Sequence, residues 1–412
     1  MNPNHSLRVV LPTVGSRGDV QPMLALAQTL VARGHVPIVA APPNFETWVK
    51  GLGFEFAPLG RDIQVFLNEN RDIMTGKPIK MFQAMSDYFN DQIPLHAQQL
   101  KTVCEKADAV LYGGLAFIAA QSVAEHLRLP VLGVFYTSCL LPSSQHPPPN
   151  IPWHGLPNWM NDLLWRANYL ISDVLMRKTI NTVRASLGLA PIDHISFEGH
   201  AIIIAADNVL FPPDPLWKEQ YPYANFIFFD DPAPLDPALD AWLSDGEPPV
   251  FIGFGSMSGA GTYRVEGMIV EAVSATGRRC IVGSGWAGLG ASALPPGWRV
   301  VRNAPHALLF PRIAVVVHHG GSGTTAQALR AGVPQVLLPL ILDQFHHAYR
   351  LHIAGISPQP VPMEKINAAE LAEAIQAALK LPEGPRRAAA ERLRASDGRG
   401  EIVQRIESMV AS

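Results

Sequence analysis

The sequence predicts an α/β protein built from two doubly wound, parallel-sheet domains that face each other across a cleft. Short β-branched apolar runs alternate with amphipathic segments along most of the chain. The alternation stops at an acidic, Pro-rich stretch and then restarts, so the second half repeats the architecture of the first. The length, 412 residues, exceeds what one hydrophobic core ordinarily organises, and 48% apolar against 16% charged residues supplies material for two.

LRVVLPTV (7–14) reads as a buried strand, and QPMLALAQTLVARG (21–34) as the helix after it. Pro22 suits a first turn, Met23, Leu26 and Leu30 share one face, and Gly34 suits a C-cap. VPIVAA, ADAVLY and LPVLGVFYTS continue the strands, with the helical IAAQSVAEHL between the last two. Around 60–100 and 140–200 the alternation lapses into PPPNIPWHGLPNW and the long helical NDLLWRANYLISDVLMRKTINTVRASLG; such insertions line a substrate cleft or pack a local core. FDDPAPLDPALDAWLSDGEPP (229–249) reads as a linker. Strands resume with VFIGFGS (250–256), RRCIVGSG, WRVVRNAP, IAVVVHHGG and VPQVLLPL. The expected division is a domain over 1–228, the linker, a domain over 250–384, and a charged helix over 385–412, with a return to the first domain as one path open to it.

The net charge of −3 and the lack of a basic stripe with interleaved aromatics argue against nucleic acid as a partner. Cys104, Cys139 and Cys280 have no CxxC spacing, which suits a reducing compartment. The first apolar run leads into a Gly turn, as a strand does and a signal-peptide core does not. No run reaches the roughly 18–20 apolar residues of a membrane span. A soluble, cytoplasmic protein is expected.

Open parallel sheets bind ligands beyond the carboxyl ends of their strands, and HHGGSGTT (318–325) occupies such a turn. Its glycines allow close backbone approach, and a helix starting near Thr324 offers free N–H groups and a positive dipole end suited to a phosphate. Zinc is the rival reading, but His318 and His319 point to opposite faces, and His346, His347 and His352 lack metal-ligand spacing. The structural alternative is a Gly-rich turn with one solvated and one core histidine. Neither GxGxxG nor GxxxxGK[ST] is present. FGSMSG (254–259) puts Gly255 and Ser256 at another strand end, where a plain turn is the simpler reading. VGSRGDVQP (14–22) places Asp19 at a helix start, either as a first-turn acid or as a cleft-facing carboxylate base.

HHGGSGTTAQALRAGVPQVLLPLILDQ resembles the donor-binding signature of family 1 nucleotide-sugar glycosyltransferases, which have the two-domain GT-B fold. GSRGDVQP resembles the first loop of the sterol glucosyltransferase and antibiotic glycosyltransferase branches. FGSM, NAPHALLFPR and the LLWRANY to LGLAPI segment agree. The resemblance implies that His319, Gly321, Ser322, Gly323 and Thr324 bind the donor diphosphate, with Ser256 opposite and Ser16 and Arg17 reaching in from the first domain. It implies that Asp343 and Gln344 hold the sugar hydroxyls and that the nucleoside rests near His306 and Gln327. Two departures are visible. Asn303-Ala304-Pro305-His306 lacks the tryptophan on which the plant branch stacks uracil, and Gln327 replaces the glutamate that holds the ribose, which weakens a preference for UDP over dTDP. Asp19 occupies the position of the plant branch's histidine base, with Gly113 and Gly114 near its partner's position.

The expected reaction is inverting, metal-independent transfer of a hexose, glucose from UDP-glucose foremost, with Asp19 as base and no cofactor beyond the nucleotide-sugar donor. Trp153, Trp159, Trp165, Phe82 and Tyr88 hint at a lipophilic acceptor such as a sterol, polyketide or flavonoid, although core packing explains them equally well. Rhamnosyl transfer from dTDP-rhamnose to a lipid, a nucleotide-sugar epimerase and a nucleotide-sugar binding protein stand as alternatives. Oligomeric state and a peripheral membrane contact of the first domain stay open.

Overall fold

The computed structural model describes residues 6–62, 65, 78–255, 262–285, 289–290, 294–302, 304–396 and 398–412. Its first sheet has seven strands: β1 (Arg8–Val14), β2 (Val36–Ala41), β3 (Glu55–Pro58), β4 (Ala109–Gly114), β5 (Val131–Phe135), β6 (Ile202–Ala205) and β7 (Tyr223–Ala224). They lie in the order β3-β2-β1-β4-β5-β6-β7, all parallel. The second sheet holds β8 (Val250–Gly253), β9 (Cys280–Gly283), β10 (Arg299–Val301), β11 (Val315–His318) and β12 (Gln335–Leu337), ordered β10-β9-β8-β11-β12 and again parallel. Both sheets are doubly wound, so their central strands are buried on both faces and read as unbroken apolar runs, while the edge strands β3 and β10 are partly exposed. Each has one switch point, where the strand order reverses: β1 beside β4, and β8 beside β11. Chain leaving the carboxyl ends of those pairs diverges to opposite faces and opens a crevice.

The helix Arg17–Ala32 lies on one face of the first sheet, where Val20, Leu24 and Leu30 pack with Leu11 and Val39. It starts four residues before the amphipathic pattern does, because Ser16 caps it and the polar Arg17-Gly18-Asp19 forms its first turn. The long helical segment of the insertion is broken by a π turn: helix Asn158–Ser172, π turn Asp173–Arg177, helix Lys178–Ser186.

Two boundaries differ from the sequence expectation. Within 229–249, the helix Pro237–Ser244 forms, capped by Asp236, which accepts from the N–H groups of Ala238 (2.9 Å) and Leu239 (3.0 Å). Its Leu239 and Leu243 pack with Phe251 and Phe310, so this part of the linker belongs to the second domain. An Asp-Pro helix start has the same composition as an acidic, Pro-rich linker. The tail is two helices, Glu383–Ala395 and Gly398–Ala411. The first packs on the second domain through Ala389 and Leu393, near Leu329. The second buries Ile402, Val403 and Ile406 in the first domain's core, and its Glu407 pairs with Arg33 (2.7 Å) and His35 (2.9 Å). At the crossing, a Cβ on Gly398 would lie 1.9 Å from the carbonyl oxygen of Asn225, so no larger residue fits there.

Candidate active site

Both switch points carry the motifs singled out in the sequence, and the two crevices face each other. In the first domain, Val14 of β1 pairs with Gly114 of β4. Gly15 follows with φ +141°, and a Cβ there would stand 2.2 Å from Asp19 Oδ2. Gly114 has φ +59°, and its Cβ would lie 3.1 Å from Asp19 Oδ1. Two glycines therefore make the seat of the Asp19 carboxylate.

Asp19 is the third residue of a capping box. Its Oδ2 accepts from the Ser16 N–H (2.7 Å) and, more weakly, from the Ser16 hydroxyl (3.3 Å). The first-turn role and the cleft-facing role thus coexist in one side chain. Burial pushes the Asp19 pKa up to about 6; the Ser16 hydrogen bonds pull against that, and the negative charge of Asp343 across the cleft adds to it. A carboxylate poised there can take a proton at neutral pH. Its backbone is fixed as well, since the Asp19 carbonyl accepts from Thr13 Oγ1 (3.0 Å) and from the Tyr136 hydroxyl (3.2 Å).

In the second domain, β11 ends at His318, and adjacent strand residues diverge as expected. His318 is fully buried: its Nδ1 accepts from the Gly320 N–H (3.1 Å), so its Nε2 carries the proton and donates to Gln335 Oε1 (2.8 Å). Burial, with His319 nearby, pushes its pKa down to about 3, so it stays neutral and structural. His319 is half-buried on the cleft side, and its Nδ1 has no hydrogen-bond partner. Burial and then His347 lower its pKa to about 4. A Cβ on Gly321 would come within 2.6 Å of His319 Nε2, so the ring lies directly on glycine backbone.

The helix Ser322–Ala331 begins with Gly321 as N-cap and no side-chain cap, leaving its first N–H groups open to the cleft. It starts two residues before Thr324, which places Ser322, Gly323 and Thr324 in its first turn. The Ser322 hydroxyl donates to the carbonyl of Tyr136 in the first domain (2.8 Å), which turns that group to domain docking rather than to the open cradle.

The loop after β12 is built around Gln344, whose Oε1 accepts from Leu340 N–H (2.8 Å) and Ile341 N–H (3.1 Å). Those bonds hold Leu342 at φ +52°, an uncommon conformation for a branched residue. Gln344 is buried and shapes the loop, while Asp343 is half-exposed at the start of the helix Gln344–Ile353. Burial pushes the Asp343 pKa up, against the pull of His347, whose Nδ1 is 3.8 Å away. That same Nδ1 donates to the Gly320 carbonyl (2.7 Å), which ties the 343–353 segment to the loop after β11.

His306 opens a short helix and stacks on Phe310, with ring centroids 4.3 Å apart. Burial first, and then the charge of Arg17 from the opposite domain, lower its pKa to about 4. Arg17 lies 4.4 Å over the Trp48 ring. Gln327 is half-buried on the 322–331 helix. Ser256 and Asn303 lie outside the described residues. Among the described residues, no three His, Cys, Asp or Glu side chains converge on a metal-sized point.

Tyr136 escapes the sequence reading, and His347 is weighed there only as a metal ligand. Tyr136 stands just beyond the end of β5, the strand-end position that gave Asp19 and His319 away, but it has no glycine beside it as a marker. His347 lies four residues after Asp343, the spacing of one helical turn, and that was the available signal.

Residues 9–138 match the glycosyltransferase family 28 N-terminal domain, and 273–409 match the erythromycin biosynthesis protein CIII-like C-terminal domain. The vancomycin aglycone glucosyltransferase of Amycolatopsis orientalis is 33% identical over 386 residues, covering 90% of each chain. The chain belongs to this glycosyltransferase family. The sterol 3-beta-glucosyltransferase UGT80A2 of Arabidopsis thaliana is 31% identical across 90% of the chain, which spans 60% of that relative's length. Among solved structures, the spinosyn forosaminyltransferase SpnP superposes with a TM-score of 0.72 at 19% identity, covering 99% of this chain and 100% of its own. The glycosyltransferase VinC in complex with DTDP gives 0.69 at 19%, covering 98% and 100%. The architecture is the GT-B glycosyltransferase fold.

Proposed function

We propose that this glycosyltransferase moves a hexose from a nucleotide donor, UDP-glucose first, to a hydroxyl of a lipophilic small molecule such as a sterol, polyketide or flavonoid, with inversion. The observation that carries the reading is the placement of Asp19 and the N-terminus of the 322–331 helix on opposing walls, joined through Tyr136. In this reading the diphosphate sits at the first turn of that helix, with Gly321, Gly323 and Thr324 around it and the His319 ring donating to it. Ser16 and Arg17 approach from the first domain, Asp343 and Gln344 meet the sugar, and His306 and Gln327 meet the nucleoside. Asp19 removes the acceptor proton as its oxygen attacks the anomeric carbon from the face opposite the diphosphate; the sugar–phosphate bond breaks and the nucleoside diphosphate leaves.

Support for the acceptor class comes from the relatives named for sterol and vancomycin aglycone glucosylation. A dTDP-sugar donor is the second reading, favoured by glutamine at position 327 and by the DTDP complex of VinC. Calorimetric titration with UDP, UDP-glucose, dTDP-glucose and dTDP-rhamnose in EDTA, followed by product analysis with sterol and polyphenol acceptors, tests both. Tight binding of one series and glycoside formation are expected. Absence of binding to all four overturns the cradle, and conversion of a donor sugar without any acceptor replaces transfer with epimerisation.

A further inference from the structure

The outer face of the insertion is uncovered. On the helix Asn158–Ser172 and its π turn, Trp159 (66% exposed), Leu163 (59%), Leu170 (65%) and Val174 (78%) form a ridge, widened by Ile171 (47%) and led by Trp153 (62%). At 3.6 residues per turn these positions share one stripe. A contiguous exposed apolar strip of this size on a folded domain marks an interaction surface.

Charge narrows the occupant. Arg166 lies within the same stripe and Lys178 follows the π turn, while Arg177 at the end of that turn donates to the Asp193 carbonyl (2.7 Å); all three are exposed. Among the described residues none of the three joins an ion pair. Asp162 is the exposed carboxylate on the helix; Asp173 turns inward, where it accepts from the Ile195 N–H (2.8 Å) and pairs with His194. A dry seam with a second copy would have to bury an Arg166 from each copy, and the cost of desolvating them counts against it. A bilayer interface accepts the same pattern, because long cationic side chains keep their heads at the phosphates while tryptophans sit at headgroup depth.

We infer that this stripe is a docking surface for an anionic lipid bilayer, on which the 158–177 segment lies in the interfacial plane. No helix among the described residues is long and apolar enough to cross a membrane, so the contact is peripheral. The inner face of the same helix reaches the cleft. Asn161 Nδ2 donates to the Ser144 carbonyl (2.9 Å) and Trp165 Nε1 to the His146 carbonyl (2.9 Å). The His146 ring in turn lies 4.9 Å from His346, three residues after Asp343. Lipid surface and sugar loop are therefore separated by one helix and one loop. The docking surface stands on exposure and charge; only its purpose, presenting a membrane-dissolved acceptor, rests on the transferase reading.

The test is sedimentation of the full chain with vesicles of phosphatidylcholine alone or with about 30% phosphatidylglycerol. Binding to the anionic vesicles is expected to fall about tenfold or more in Leu163→Glu/Leu170→Glu, and Arg166→Glu/Lys178→Glu is expected to lose the anionic preference. Quenching of wild-type tryptophan fluorescence by brominated phosphatidylcholine, lost in Trp153→Phe/Trp159→Phe, reads the same contact without charge reversal. Three results overturn the inference: no sedimentation with either vesicle, partition unchanged in the leucine variant, or a wild-type dimer that this variant converts to monomer. The assay contains no nucleotide, so a chain that docks but binds no UDP or dTDP refutes the transferase reading and leaves the docking surface intact.

Discussion

The hydroxyl of Ser322 and the carbonyl of Tyr136 form a 2.8 Å hydrogen bond between the two domains, and the Tyr136 hydroxyl binds the carbonyl of Asp19 (3.2 Å). One residue thus connects the start of the 322–331 helix to the loop that carries Asp19. Ser322→Ala should weaken closure by about 0.5–1.5 kcal/mol, the net worth of one hydrogen bond. The expected signs are a larger radius of gyration by small-angle scattering and a raised donor KM. An unchanged scattering profile together with an unchanged KM would show that other contacts, such as Arg350 Nε to the Leu210 carbonyl (2.6 Å), hold the domains alone.

Asp19→Asn should lower kcat by about 10²–10⁴-fold while nucleotide affinity is kept. The amide retains the shape of the capping box, so melting should shift by no more than the ~1 kcal/mol of a cap. Wild-type turnover in this variant would reduce Asp19 to its capping role.

Gly15→Ala separates position from chemistry. The added methyl would stand 2.2 Å from Asp19 Oδ2, so the carboxylate must leave its seat. A folded protein with turnover near that of Asp19→Asn is the expected result; full activity would mean that the seat has no part in the reaction.

His319→Ala should weaken UDP or dTDP binding about 10–100-fold, the range of a hydrogen bond to a charged group. Unchanged calorimetric affinity would remove the ring from the cradle.

Two pH effects follow. Transfer should rise as pH increases through about 6, where Asp19 loses its proton. Stability should move in the same direction: His306, His318 and His319 have folded pKa values of about 4, 3 and 4 against 6.5, so the unfolded chain binds more protons and folding weakens as pH falls from 6.5 to 4. Asp19 and Asp343 act oppositely, since pKa values raised by burial make them destabilising as pH rises above 3.8, through about 6 for Asp19, but three histidines outweigh two carboxyls. Melting temperatures across pH 4 to 7 check the sign, and a flat profile would contradict the buried-neutral state of these rings.

The fold was legible because buried parallel strands leave unbroken apolar runs, and each crevice was legible because glycine must stand where backbone meets a side chain or ligand. That is the route by which the sequence points to Asp19 and His319. The division of labour within a motif was not. Gln344 spends its oxygen on Leu340 and Ile341, and Ser322 spends its hydroxyl on another domain. Both bonds depend on where distant backbone arrives in space, which no local pattern encodes. The Pro237–Ser244 helix was hidden for a different reason, since acidic and Pro-rich composition describes a capped helix start as well as a linker.

The return of the Gly398–Ala411 helix to the first domain means that the first domain is not a contiguous length of chain, and that the second is inserted between its two parts. Ile402, Val403 and Ile406 complete a core otherwise built from the first 229 residues. A chimera that exchanges donor specificity by a single cut near residue 230 would give the first domain a foreign closing helix. Exchange has to be made with two cuts, one near 230 and one beside Gly398, where an added Cβ would stand 1.9 Å from the Asn225 carbonyl oxygen, so the glycine has to travel with its own partner strand.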